Sequence, residues 1–303
     1  MIRLGTRNSQ LALWQSNWVA GQLRALGGLV QLVPITTEGD VATGSLRQLG
    51  GDGLFTKRLQ IALLDNEIDL AVHSLKDLPT DPVDGLTLAA VPDREDVRDA
   101  FVSNRFVTWS EMPTGATVGT GSLRRAAQLK WLRPDLTIAD LRGNVDTRLR
   151  KLDEGHYDAI VLACAGLRRL GLEQRITQAV DLSTMLSAVG QGALGLETRS
   201  DDAATIQQVQ ALNDFNTMAC VTAERAFLNE TRAGCTAPVA GHAVVRENQL
   251  YMQAAILSEA GDQRLDWQIG GSAASATDLG RELARQLLNM GGREILSARS
   301  ANK

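Results

Sequence analysis

Between Gly115 and Ala163 three short apolar runs, "GATVGT", "LTIAD" and "YDAIVLA", alternate with two segments of helical period, "SLRRAAQLKWL" and "VDTRLRKLDEG". Strand, helix, strand in that rhythm closes into a sheet by crossover connections, which makes neighbouring strands parallel. The N-terminal part repeats the rhythm: "IRLGT" and "LVQLVPIT" read as strands around a helix near Ser9–Leu26, and "GLFTKRLQIALLDNEIDLAVHS" as helix then strand. Leu11, Trp14 and Trp18 fall on one face of the first helix, a spacing that predicts core. The charged stretch "VPDREDVRDA" separates the two halves as a crossover, so two α/β units with mostly parallel sheets are expected. From about Ala203 the pattern changes to two helices, the strand-like "PVAGHAVV" and "QLYMQAAILS", and a last helix with Leu279, Leu283, Leu287 and Met290 as its stripe. That predicts a small α+β C-terminal domain.

Composition narrows the classes of function. The chain has 303 residues, 44% hydrophobic and 22% charged, which is ordinary globular usage. A net charge of −4 argues against a broad basic face, so no nucleic-acid partner is expected. Three widely spaced cysteines, Cys164, Cys220 and Cys235, offer neither a disulfide framework nor metal-ligand spacing. The start "MIRLGTRNSQ" lacks the apolar core of a signal peptide, and no run approaches the roughly 20 residues that span a bilayer. A cytoplasmic protein without membrane or metal is the expectation.

Charged residues collect after strands. In "VGTGSLRRAAQLKWLR", Thr120, Gly121 and Ser122 lead into a helix with Arg124 and Arg125 in its first turn. Cations there oppose the helix dipole, so an anion is expected beside them. "LRGNVDTRLRK" repeats the arrangement with Arg142, Gly143 and Arg148, and "ACAGLRRLG" places Arg168 and Arg169 after a third strand. Each arginine taken singly reads as a surface residue. Ligands of open α/β sheets bind off the carboxyl ends of strands, and three clusters there predict a carboxylate- or phosphate-rich ligand. "AVHSLKDLPT" aims His73, Lys76 and Asp77 off another strand, where the simplest alternative is a solvated turn. Cys164 and Cys220 sit in apolar settings as small hydrophobes. Cys235, in the loop "TRAGCTAPV", is the candidate nucleophile or attachment point.

The stretches "RLGTRNSQLALWQ", "HSLKDLPT", "EDVRDAFVS", "GTGSLRRAAQL", "LRGNVDTRLRKLDEGHYDAIVLACAGLRRLG", "AVGQGALGLE" and "TAERAFLNETRAGCTAPV" together resemble the porphobilinogen deaminase family over nearly the whole chain. The resemblance implies two periplasmic-binding-protein-like α/β domains, 1–93 with 192–212 and 97–188, plus a small α+β domain at 214–303. It implies a transferase that joins four porphobilinogen molecules head to tail into hydroxymethylbilane and releases ammonia, in tetrapyrrole biosynthesis. It also implies a dipyrromethane cofactor covalently attached through Cys235, and a monomer.

Carried over by motif, Asp77 is the catalytic carboxylate, accepting pyrrole N–H bonds as positive charge develops on the rings. Cofactor binding falls to Cys235, Lys76, Thr120, Ser122, Arg124, Arg125 and Gly143; Lys76 would also hold a substrate carboxylate. Substrate binding falls to Arg7, Ser9, Ser74, Arg142, Arg148 and Arg169, and His73 is a neighbour of the site rather than its acid or base. Every ring brings an acetate and a propionate, which accounts for clustered arginines in an acidic protein. Two departures stand out. Gln48 and Asp52 replace lysines common in the family's loop before "GLFTK", so the loop Arg47–Gly53 is expected to act as a glycine-rich lid rather than a carboxylate clamp. The attachment motif reads "AGC" where a double glycine is frequent. A non-catalytic cytoplasmic anion- or ligand-binding protein and an inactive homologue are the competing readings.

Overall fold

The structure, a computed structural model, describes residues 1–35, 56–234 and 237–298. The chain opens with β1 (Ile2–Thr6), α1 (Gln10–Ala25), β2 (Val30–Pro34), α2 (Lys57–Leu64), β3 (Leu70–Ser74) and β4 (Leu86–Ala90). Next come β5 (Asp99–Val102), β6 (Thr117–Gly119), α3 (Leu123–Leu132), β7 (Thr137–Ala139), α4 (Val145–Asp153), β8 (Ala159–Ala163), α5 (Cys164–Arg169) and β9 (Gln178–Val180). The last part holds β10 (Leu194–Arg199), α6 (Ala203–Gln210), α7 (Phe215–Thr231), β11 (Val239–Arg246), β12 (Gln249–Leu257), β13 (Arg264–Ser272), α8 (Ala276–Leu287) and α9 (Arg293–Ala298). Two compact units result, Met1–Glu95 with Gly192–Met218, and Asp96–Gln191 with Ala219–Lys303.

The first unit is one five-stranded sheet in the order β2-β1-β3-β10-β4. β1 pairs in parallel with β2 and β3, while β10 runs antiparallel between β3 and β4. β3 is apolar on both faces because both are covered. Leu70 and Val72 pack with Val19, Ala20 and Leu23 of α1, whereas Ala71 packs with Leu59, Ala62 and Leu63 of α2. Helices on opposite faces after β1 and β2 create a switch point between β1 and β3, and in such sheets the loops following those strands flank the ligand crevice.

One expectation about α1 needs correction. Its inward face is Gln15, Ser16, Val19, Ala20 and Leu23. Trp14 is 37% exposed, and Trp18 is only partly buried against the core. Small residues at Ser16 and Ala20 let the helix approach the sheet closely, which turns the bulky Leu11, Trp14, Trp18 stripe toward the rim.

In the second unit the five-stranded sheet runs β7-β6-β8-β5-β9, again with three parallel neighbours and one antiparallel strand inside the edge. The two sheets share one strand order; the antiparallel member follows its unit's other strands as β10 and precedes them as β5. The same unit carries the C-terminal antiparallel sheet β11-β12-β13. Ala127 of α3 and Leu186 bury together with Ala240, Ala255 and Leu257 of the small sheet, so α3 packs against that sheet. Leu279, Leu283 and Leu287 of α8 seat against Phe227 of α7 and Met252 and Ile256 of β12. Met290 does not continue that stripe. A wide turn at Leu288–Gly292, with Gly291 at φ 112°, breaks the register, and Met290 is exposed while Leu288 is buried.

Candidate functional site

In the first unit, the loops after β1 and β3 come from adjacent parallel strands paired at Leu4↔Leu70 and Gly5↔Ala71. After β1, Arg7 is half-buried and Ser9 caps α1, its side chain accepting from the Ala12 N–H at 3.3 Å. An extended N-cap residue with a hydroxyl is what starts a helix at this point. After β3, Ser74 stays extended and Leu75–Asp77 form a 3₁₀ turn, which Pro79 ends by forcing Leu78 extended. The turn is pinned by buried Leu75, whose N–H donates to the Ala193 carbonyl at 3.0 Å. Ser74 Oγ accepts from Gln15 Nε2 of α1 at 2.8 Å. Lys76 is half-buried and Asp77 exposed. The Asp77 carboxylate has neither hydrogen bond nor ion pair among the described residues and is held out on a fixed turn.

In the second unit β6, β7 and β8 are parallel neighbours, so the segments that follow them leave the same end of the sheet, while Arg168 and Arg169 lie in the last turn of α5. Ser122 Oγ accepts the Arg125 N–H at 3.4 Å and caps α3. A side chain at Gly121 would meet the Leu141 carbonyl at 2.8 Å, so a bare backbone is needed there. Thr120 is buried, its Oγ1 accepting from the Ser122 N–H. Asn144 stands at the N-cap of α4 without a side-chain cap bond. Gly143 holds φ 114°, and its carbonyl accepts from Arg148 Nε at 2.7 Å. Arg142 remains partly exposed, held by Asp140 at 2.7 Å. Arg169 is buried at the end of α5, while Arg168 is exposed and pairs with Asp96 at 3.0 Å.

Arg124 and Arg125 are both buried, and their first anion comes from within the chain. Arg124 bonds Asp99 of β5 at 2.7 and 3.1 Å, and Arg125 Nε reaches the same carboxylate at 2.9 Å. Gln191 Nε2 adds a bond at 2.9 Å, and the carbonyls of Leu186 and Val161 accept from Arg124 and Arg125. Burial penalises the Asp99 charge, but the two guanidinium groups outweigh it and hold the carboxyl well below its ordinary range. Burial likewise lowers Arg124 from its usual value. Two guanidinium charges face one carboxylate, and Arg124 Nε is a buried donor without a partner among the described residues. The sequence reading missed Asp99; its signal was a carboxylate opening the fully buried strand "DAFV".

A second buried network also went unread. His73 Nε2 lies 2.9 Å from Glu197 Oε2, and Gln60 Nε2 donates to Glu197 Oε1 at 3.0 Å. Of the cysteines, Cys164 and Cys220 are buried free thiols, and burial pushes Cys164 up to about 12. Cys235 and the loop Arg47–Gly53, with Gln48 and Asp52, lie outside the described residues. No described helix is long and apolar enough to cross a membrane, and no cluster of potential metal ligands occurs among the described residues.

Residues 2–207 match the family model described as "Porphobilinogen deaminase, dipyromethane cofactor binding domain", and residues 218–289 match "Porphobilinogen deaminase, C-terminal domain". The porphobilinogen deaminase of Trichlorobacter lovleyi is 50% identical over 298 residues, covering 97% of this chain and 95% of that protein. Among solved structures, the methionine-binding protein MetQ is similar at 15% identity and TM-score 0.47, covering 70% of this chain and 89% of that one. A periplasmic substrate-binding protein of an ABC transporter from Coxiella burnetii is similar at 14% identity and TM-score 0.45, covering 70% of this chain and 91% of that one. The two matched family domains and the identity across nearly the full length of a relative leave one conclusion: the chain belongs to the porphobilinogen deaminase family.

Proposed function

We propose that Asp77 is the catalytic carboxylate of this chain's reaction, the joining of four porphobilinogen molecules head to tail into hydroxymethylbilane with release of ammonia. The observation that carries the assignment is an exposed carboxylate, unpaired among the described residues, on a pinned turn at the β1/β3 switch point. Ammonia leaves the aminomethyl carbon of an incoming porphobilinogen, and positive charge spreads to its pyrrole nitrogen. A fixed carboxylate accepting that N–H stabilises the charge as it develops, without reorganisation. Lys76 beside it, with Arg7, Ser9 and Ser74, supplies donors for the ring's acetate and propionate. In the second unit Arg142, Arg148 and Arg169 take substrate carboxylates by charge-assisted bonds.

The second unit also fits the family's cofactor. Dipyrromethane is a polycarboxylate, and when bound it supplies the free pyrrole α-carbon from which the chain grows. The excess of guanidinium charge around Asp99 and the unpartnered Arg124 Nε are suited to a carboxylate there. Thr120, Ser122, Arg124, Arg125 and Gly143 would hold it, and Cys235 would carry its thioether. The enzyme is proposed to act as a cytoplasmic monomer on this small-molecule substrate, without nucleic acid or membrane, with 97–188 and 214–303 as separate domains. The competing readings, a binding protein without chemistry or an inactive homologue, find no support in the comparisons.

Purified protein should develop the dipyrromethane colour with Ehrlich's reagent and consume porphobilinogen with one ammonia released per ring joined. Protein that colours but releases no ammonia would be the inactive homologue; protein that does neither would be a binding module.

A further inference from the structure

The last two side chains of β3 point to opposite faces of the sheet, and each is tied down just before the turn that carries Asp77. Ser74 is held on the α1 face by Gln15. His73 is held on the α2 face, 4% exposed, by Glu197 of β10, itself 6% exposed. The register explains how they meet. β10 runs antiparallel to β3 with Gly195 opposite His73 and Glu197 opposite Ala71, so His73 and Glu197 are diagonal neighbours on one face. Gly195 has no side chain to fill the place opposite His73, and a Cβ there would meet Leu75 Cδ1 at 2.8 Å. Gln60 of α2 takes the second Glu197 oxygen, so both carboxylate oxygens have a donor inside the first unit.

A buried carboxylate in a central strand is destabilising unless every oxygen is paired, and an apolar pair would fill this space with less penalty. Glu197 and His73 nonetheless stand here, with His73 four residues before the candidate catalytic carboxylate. We infer that the Gln60–Glu197–His73 network is a positioning device that fixes the end of β3, and through it the carboxylate of Asp77, against the strands beside it. His73 touches no reacting atom and is a positioning residue. The inference rests on the assignment of Asp77 made above. Glu197 orients the imidazole with Nε2 toward it, the imidazole locks the backbone at residue 73, and the turn Leu75–Asp77 starts two residues on. Misplacing a catalytic group by a fraction of an ångström to an ångström is enough to slow turnover while leaving carboxylate binding by the arginines intact.

Four variants test this in the full chain: H73A, H73Q, E197Q and D77N, with the double variant H73A/D77N. H73A and E197Q should lower kcat on the order of tenfold while KM for porphobilinogen stays within about twofold. Intact mass should still show the cofactor adduct, and circular dichroism the parental fold. H73Q, whose amide nitrogen replaces Nε2, should recover most of kcat. In the D77N background H73A should cost nothing more, because a residue acting only through Asp77 has nothing left to position. E197Q keeps the side chain's size, so it reads the network even if H73A folds poorly. Parental kcat in both H73A and E197Q, H73Q no better than H73A, or effects of H73A and D77N that multiply would each overturn the inference. Parental kcat in D77N would instead overturn the assignment of Asp77, and this inference with it.

Discussion

Asp99 is a buried carboxylate whose removal should be damaging outside the Asp77 turn. It is fully buried and answers two guanidinium groups, so Asp99→Asn leaves both with no carboxylate and should destabilise the fold by about 3–5 kcal/mol. Its carboxyl titrates lower in the folded than in the unfolded chain, so its stabilisation is complete above about pH 4 and is lost as pH falls toward the folded-state value. Thermal denaturation between pH 5 and pH 3 should therefore show a steeper loss in the parent than in D99N. Cysteine chemistry is decided by the same variable, burial. Cys164, pushed up to about 12, and buried Cys220 should resist alkylation in the native protein at pH 8. Cys164→Ala and Cys220→Ala should keep the adduct that Cys235→Ala lacks, with intact-protein mass spectrometry as the measurement. An adduct surviving on the Cys235 variant would sink the attachment assignment.

Elements here are placed by close approach as much as by apolar stripes. α8 crosses α7 at Gly280, where a methyl group would overlap the Ala223 carbonyl. Gly280→Ala should therefore destabilise the protein by about 1–3 kcal/mol in chemical denaturation, although alanine favours an isolated helix. β13 shows where pattern reading stops. Its residues Asp266, Trp267 and Gln268 are all exposed, as suits an edge strand paired on one side only, and no alternation announces it. The stripe Leu279, Leu283, Leu287 was legible because three leucines at a spacing of four share a helix face whatever they pack on. The face of α1 was not, since the choice between Trp14 and Gln15 as inward residue depends on how near the sheet lies.

At the scale of the whole molecule, an enzyme with net charge −4 is proposed to bind polycarboxylates through local arginine clusters. Attraction confined to those clusters is screened over roughly 8 Å at physiological salt, so KM for porphobilinogen should rise with added potassium chloride while kcat changes little. A KM independent of salt would mean that hydrogen-bonding shape rather than charge selects the substrate. Arg142→Ala and Arg148→Ala should raise KM further and flatten that salt dependence. The alternation of strands and helices, the third small sheet domain, the loops that bear Lys76, Asp77 and the arginines, and the family itself could all be read from residue order. They are local: a strand ends, a capping residue follows, and the charged side chains come next in the chain. The shared strand order of the two sheets, with β10 and β5 inserted antiparallel, could not be read, because neither strand is adjacent in sequence to all its partners. Nor could the anion beside Arg124 and Arg125 be identified as Asp99, or the partner of His73 as Glu197, 124 residues away. Such buried pairs are chosen by register across strands that meet only in the folded molecule, and tertiary structure alone decides which charges remain for the substrate.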